Sequence, residues 1–185
     1  MANTTDVIVV GGGVNGACIA YHLAQRGVSV TLVEKDNIAA GPTGRSCGIV
    51  RQHYSHPVTA RIALAALRFF ENFEDLVGGD CDFRQTGYIV AAGPDSIDTL
   101  ETNVALQQSL GINTSVISVE ELRELAPGVA IDGIVGAAYE PESGYADPYS
   151  ASVAFANRAE ELGAEVLVGT EVRSVIVEGG RTRGV

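Results

Sequence analysis

Residues 6–16 read Asp6-Val-Ile-Val-Val10-Gly11-Gly12-Gly13-Val14-Asn15-Gly16, and the segment Val28-Ser-Val-Thr-Leu-Val33 that follows ends at Glu34. The run from Val7 to Val10 is apolar and β-branched, which predicts a parallel strand buried on both faces. Val14, Ala17, Cys18, Tyr21 and Ala24 recur at helical spacing, and Gly27 supplies a helix stop. The segment 28–33 predicts a second strand. Gly11-x-Gly13-x-x-Gly16 is a weak motif alone. Placed between a strand and a helix, with an acid closing the next strand, it specifies a dinucleotide-binding β-α-β unit. Gly11 permits a tight turn, Gly13 lets the backbone approach a pyrophosphate, and Gly16 lets the helix lie against the strand. The amides of Val14 and Asn15 at the helix N-terminus face the phosphates. The Glu34 carboxylate accepts from ribose hydroxyls and repels a 2′-phosphate, which disfavours an NADP-type ligand.

Composition narrows the class. The chain has 185 residues, 46% of them hydrophobic and 19% charged, which describes a globular protein. Net charge is −11, against nonspecific nucleic-acid binding. No apolar run reaches the roughly 18 residues a membrane span needs, and Met1 to Asp6 carries no basic side chain of a secretory signal. Three cysteines, Cys18, Cys47 and Cys81, without a CxxC, predict neither a disulfide framework nor a zinc site, and fit a cytoplasmic protein. Cys18 is expected in the core. Residues 37–70 contain no acid but carry Arg45, Arg51, Arg61 and Arg68, a candidate anion site set against the plainer reading of solvated arginines.

Further along, residues 35–56 read as a Gly-rich loop. A helix from Pro57 presents Val58, Ile62, Ala66, Phe69, Phe70, Phe73 and Val77 and stops at Gly78-Gly79. Phe83 to Ala92 reads as a strand and Pro94 to Leu110 as a helix. Ser118-Val-Glu-Glu121 is a capping box, and Asp147-Pro148 is an N-cap followed by a first-turn proline. Strands are expected at 165–169, 171–178 and 181–185, the last two joined by Gly179-Gly180. The final strand has no onward partner, which suggests the N-terminal portion of a longer polypeptide. The expected organisation is α/β: a discontinuous nucleotide-binding domain, 1–80 and 147–185, and a segment, 81–146, of a second, substrate-side domain with a mixed sheet.

The unit followed by Gly41-Pro-Thr-Gly-Arg-Ser-Cys-Gly48-Ile-Val-Arg51-Gln-His-Tyr54 resembles the D-amino-acid-oxidase-type family of FAD-dependent oxidoreductases. Within it the likeness is closest to the group of the sarcosine oxidase β-subunit and dimethylglycine dehydrogenase. Thr86-Gly87-Tyr88, Gly144-Tyr-Ala-Asp-Pro148 and Gly169-Thr-Glu-Val172 extend the likeness along the chain. The resemblance implies a glutathione-reductase-type FAD-binding domain. It also implies an enzyme that oxidises the C–N bond of an amino acid or N-methyl amino acid by hydride transfer to flavin. Thr43, Gly44, Arg45 and Ser46 would lie along the flavin, Glu34 and Lys35 beside the adenosine, and Val172 against the adenine. Some relatives attach flavin through a histidine where this chain has Arg45, so noncovalent FAD is expected. Monomeric sarcosine oxidases carry an arginine where this chain has Gly48, which favours the β-subunit-like branch. Arg51 falls where relatives place an arginine for the substrate carboxylate; a salt bridge or a structural contact beside the flavin are its alternatives. The implied partner is a small amino-acid or amine substrate, with assembly into hetero- or homo-oligomers through regions outside this stretch. Two rival readings stand beside this one: an NAD-dependent dehydrogenase, and a noncatalytic nucleotide-binding fragment or subunit.

Overall fold

A computed structural model describes residues 4–185. They cluster into two compact units, one built from residues up to Gly48, Phe73–Asp82 and Asp147–Val185, the other from Ile49–Asn72 and Phe83–Ala146. The segment 49–72, which the sequence reading placed in the nucleotide-binding domain, therefore packs with the second unit.

In the first unit β1 (Val7–Val10), α1 (Val14–Gln25) and β2 (Val30–Val33) form the expected β-α-β motif. Strand β2 is central in a parallel sheet of order β1-β2-β8, β8 being Glu165–Leu167. Val30, Leu32 and Val33 are buried, as a strand paired on both edges requires. Val10 is 58% exposed, so β1 is only partly buried. Helix α1 packs on α6 (Pro148–Glu161). Ala17, Ala20 and Ala24 of α1, and Ala151, Ser152, Ala156 and Ala159 of α6, are buried small residues that permit close approach of the helix axes. Tyr21 anchors this layer: its ring lies 5.6 Å from Phe155, and its hydroxyl donates to Leu76 O at 2.8 Å. Cys18 is half-buried rather than core, and burial raises its thiol pKa. Helix α6 starts as expected, Asp147 Oδ1 accepting the Ser150 amide at 2.6 Å. Strands β9 (Ile176–Glu178) and β10 (Arg181–Gly184) form the predicted hairpin. β9 is shorter than the expected 171–178, and residues 169–170 bond to the backbone of Asp36 and Glu34.

In the second unit β4 (Tyr88–Ala92), β6 (Gly136–Glu140) and β5 (Ser115–Ile117) form an antiparallel sheet with β6 in the middle. Period-two alternation gives each face a helix. Ala92 and Ala138 pack with Leu100 and Val104 of α4 (Ile97–Ser109). Ile117 and Ala137 pack with Leu122 of α5 (Val119–Leu125), whose Ser118–Glu121 capping box forms as read. β3 (Ile49–Val50) pairs with β7 (Gly144–Tyr145). A Cβ on Gly144 would fall inside the carbonyl of Arg84, so only glycine fits there.

The single helix expected over 57–77 is two, α2 (Pro57–Glu71) and α3 (Phe73–Val77). Asn72 leaves helical geometry at φ −116° and its side-chain amide donates to Arg68 O at 2.8 Å, capping the turn it ends. Val58 and Ile62, read as its inward face, are 59% and 64% exposed; Ala60 and Leu67 are buried instead.

Candidate functional site

The turn after β1 is locked before any ligand is considered. Gly11 donates to Val33 O at 2.8 Å with φ +105°, a conformation L side chains avoid. A Cβ on Gly16 would overlap the Gly11 carbonyl oxygen, so the third glycine is what lets α1 approach the turn. Glu34, at the end of β2, reaches back across the turn. Its Oε2 accepts the Gly12 amide at 2.6 Å and its Oε1 the Asp36 amide at 2.8 Å. Both bonds use a charged acceptor, the stronger class of hydrogen bond.

A second turn closes on the first. Thr43–Arg45 forms one 3-10 turn. Thr43 Oγ1 accepts the Val14 amide at 3.1 Å, filling the side-chain cap that Gly13 cannot provide. Gly44 donates to Ala39 O at 2.9 Å, and a Cβ there would strike that same oxygen. Asn15, Arg45 and Ser46 are exposed. A cleft of about 310 Å³ is lined by Gly11, Val33, Glu34, Lys35, Thr170 and Val172 among others. Its wall is fixed because Glu34 donates its amide to Leu167 O and accepts at its carbonyl from Thr170, both at 2.8 Å. Of the predicted cofactor residues, Gly11, Glu34, Lys35 and Val172 line this cleft, and Val14 meets Thr43 where the two Gly-rich turns join.

Arg51 lies in the second unit, half-buried. Its guanidinium carbon stands 4.9 Å from the Tyr54 ring centroid and 5.7 Å from that of Tyr88, within range of cation–π attraction. A 3.5 Å contact to the Tyr88 hydroxyl is its one polar contact among the described residues, and none of their carboxylates pairs with it. Arg68, by contrast, bonds Glu71 and Glu142 at 2.8–2.9 Å, which corrects its place among the anion-site candidates: its charge is already used on the surface.

Sequence reasoning missed the groups behind Arg51. Glu140 is 1% exposed, opposite Tyr88 in the β4–β6 ladder. Its Oε2 accepts the Gln52 amide at 2.9 Å and the Ser143 hydroxyl at 2.8 Å. His53 Nδ1 stands 3.7 Å from Glu140 Oε1. Burial lowers the His53 pKa; Glu140 opposes that shift and Arg51 adds to it. An acid ending the small-residue strand Gly136-Ala-Ala-Tyr-Glu140 was the available signal. His56, near the same segment, caps α2 by accepting the Val58 amide.

The parallel sheet, the glycine turn and the acid at the end of β2 define a dinucleotide-binding α/β protein. The chain belongs to the FAD dependent oxidoreductase family (DAO), whose sequence model matches residues 6–185. The match runs through residues 41–54, which the nicotinamide reading left unexplained, and so corrects that reading. The chain is 35% identical, over its whole length, to the anaerobic glycerol-3-phosphate dehydrogenase subunit A1 of Haloferax volcanii, covering 31% of that protein. It is 31% identical to the mitochondrial dimethylglycine dehydrogenase of Rattus norvegicus over 85% of this chain and 19% of the other. The L-proline dehydrogenase of P. horikoshii superposes with a TM-score of 0.91 at 32% identity, over 98% of this chain and 48% of that one. The chain therefore spans less than half of each of these proteins. Its residues fit the family's cofactor: glycines at 16 and 44, where a Cβ would strike the Gly11 and Ala39 carbonyl oxygens, let the two turns close at the N-terminus of α1, and Glu34 holds the first turn through the Gly12 amide. Among the described residues no helix is long and apolar enough to cross a membrane.

Proposed function

We propose that this chain is the cofactor-binding portion of a flavoenzyme that oxidises the C–N bond of a small amino acid or N-methyl amino acid. FAD, when bound, supplies the electron sink for that oxidation. Gly11, Gly13, Val14, Asn15 and Gly16 would hold its pyrophosphate at the N-terminus of α1. Glu34, Lys35 and Val172 would take the adenosine, and Thr43, Gly44, Arg45 and Ser46 would lie along the flavin. With Arg45 in place of an attachment residue, the cofactor is held noncovalently. In the second unit Arg51 would bind the substrate carboxylate, and a planar guanidinium held by two aromatic rings suits bidentate pairing.

The observation that carries this reading is a half-buried arginine stacked on Tyr54 and Tyr88 with no carboxylate partner among the described residues. The test is anaerobic bleaching of the 450 nm flavin band of the FAD-loaded protein by sarcosine, dimethylglycine, glycine, L-proline or a D-amino acid. Bleaching by one of them, lost in Arg51→Ala, is the expected result. A second reading rests on the 35% identity to the glycerol-3-phosphate dehydrogenase subunit. An arginine also binds phosphate, and the oxidised bond would then be C–O. Bleaching by glycerol 3-phosphate alone would replace the first reading with this one.

A further inference from the structure

Glu140 is a carboxylate in a place that excludes water. A charge so placed needs donors on both oxygens. Oε2 has two, the Gln52 amide and the Ser143 hydroxyl. Oε1 has no hydrogen-bond partner, and neither does His53 Nδ1, the atom 3.7 Å away; both are sealed from solvent. A water bonded to both atoms, its two bonds meeting near the tetrahedral angle, would hold them about 4.5 Å apart, so a separation of 3.7 Å is closer than a bridge gives. Without a proton there, two lone pairs would face each other in a medium of low dielectric.

That proton has two possible sites. On Oε1 it would leave the facing Nδ1 bare, with the ring's own proton on Nε2. On Nδ1 it leaves His53 neutral, as burial and the nearby Arg51 both favour. The charged groups acting on the ring are Glu140, on β6, and Arg51, on its own segment. The ladder adds a geometric link. Tyr88 pairs directly with Glu140, so their side chains share one face of the sheet. The residue that stacks on Arg51 and the residue that clamps Gln52 and His53 are cross-strand neighbours.

We propose that Glu140 and His53 are a one-proton positioning pair for Arg51. Glu140 holds His53 in its Nδ1–H neutral tautomer and clamps the Gln52 amide, and together they fix the segment that carries the guanidinium between Tyr54 and Tyr88. The pair acts on Arg51 alike whether the guanidinium takes a carboxylate or a phosphate.

Nitrogen-15 NMR of the histidine-labelled protein tests it. His53 is assigned among the three histidines by the signals lost in His53→Gln. The expected spectrum at pH 7 shows His53 neutral with the proton on Nδ1. An Nε2–H tautomer, or an imidazolium, at that pH overturns the proposal without any variant having to fold. Glu140→Gln keeps an amide oxygen for the Gln52 and Ser143 donors but turns an NH₂ toward Nδ1, so the tautomer should flip to Nε2–H. An unflipped tautomer in a folded E140Q protein counts against the pair. Glu140→Ala removes the clamp, and the ring-current shifts that Tyr54 and Tyr88 impose on the Arg51 side-chain protons should collapse. Those shifts persisting unchanged would show that Arg51 needs no such support.

Discussion

Replacing Gly16 by alanine sets two effects of opposite sign against each other. Gly16 lies inside α1, where alanine is favoured over glycine by about 1 kcal/mol. Its new Cβ, however, would lie far inside van der Waals contact with the Gly11 carbonyl oxygen and 3.4 Å from Val9 Cγ1. The obstacle is backbone, held by the Gly11–Val33 bond, so no flexible side chain can swing aside. Forcing a methyl into a packed site costs about 3 kcal/mol at the upper end of the usual range. The net is a loss of about 2 kcal/mol, or a fall in Tm of roughly 4–8 °C for a chain of this size. Gly41→Ala is the control, because a Cβ there meets nothing within 4 Å; its stability should change by less than about 0.5 kcal/mol. Thermal unfolding by far-UV circular dichroism reads both, and FAD titration reads the displacement of the α1 N-terminus as weaker binding in G16A alone. A G16A protein as stable as wild type, with unchanged FAD affinity, would refute the close approach of helix and turn.

Glu34→Gln leaves one oxygen where two backbone amides need acceptors, so an NH₂ group must face the Gly12 or the Asp36 amide; urea unfolding should show a loss of about 2 kcal/mol. Arg51→Lys keeps the charge but loses the planar fork, so KM for a carboxylate substrate should rise about tenfold or more, with kcat less affected and Tm nearly unchanged. The pH dependence has a definite sign. His53, whose ordinary value is 6.5, is lowered in the folded protein, so the unfolded chain takes up its proton first. Its contribution is complete above pH 6.5 and is lost as pH falls from there toward the folded value; unfolding free energies at pH 7.5 and 5.5 should differ more in wild type than in His53→Gln. Asp147, held below its ordinary 3.8 by the Ser150 amide, behaves in the acidic range: its stabilisation is present above that value and disappears as pH falls through the folded pKa. Asp147→Asn should therefore flatten the acid limb of the unfolding curve.

Local rules made the cofactor half legible. A strand, three glycines, a helix and an acid stand within thirty-odd residues, and each constraint there is satisfied by neighbours in sequence. The Ser118–Glu121 and Asp147–Ser150 caps were legible for the same reason. The failures share a cause in long-range packing. Nothing local says that 49–72 belongs with 83–146; that follows from Val50 pairing with Gly144 and from the Gln52 amide meeting Glu140, 88 positions away. The strand Ser115–Ile117 is three residues long and exists because β6 offers it an edge. Arg51 was visible as a residue type, but its setting between Tyr54 and Tyr88 depends on a sheet register that no periodicity reveals. Asn72 interrupts a pattern that is apolar on both sides, so its helix break was hidden by the very residues that flank it.

The chain alternates between its two units four times along its length. This gives synthesis a direction. Every described residue of the second unit has been made once Ala146 is added, while β8 of the first is still to come. The sheet of the first unit waits for β8, because Thr31 has its partner at Glu165. Until then the outer edge of β2 carries unpaired amides and carbonyls in an apolar segment, the kind of edge that recruits other chains. At translation rates of about 5–20 residues per second the exposure lasts several seconds at least. The interval falls before the nucleotide cradle has its 170–172 wall. Among the described residues the interleaved connectivity therefore sets an order of synthesis: the arginine-bearing segments first, the third strand of the parallel sheet next, and the 170–172 wall of the cleft last.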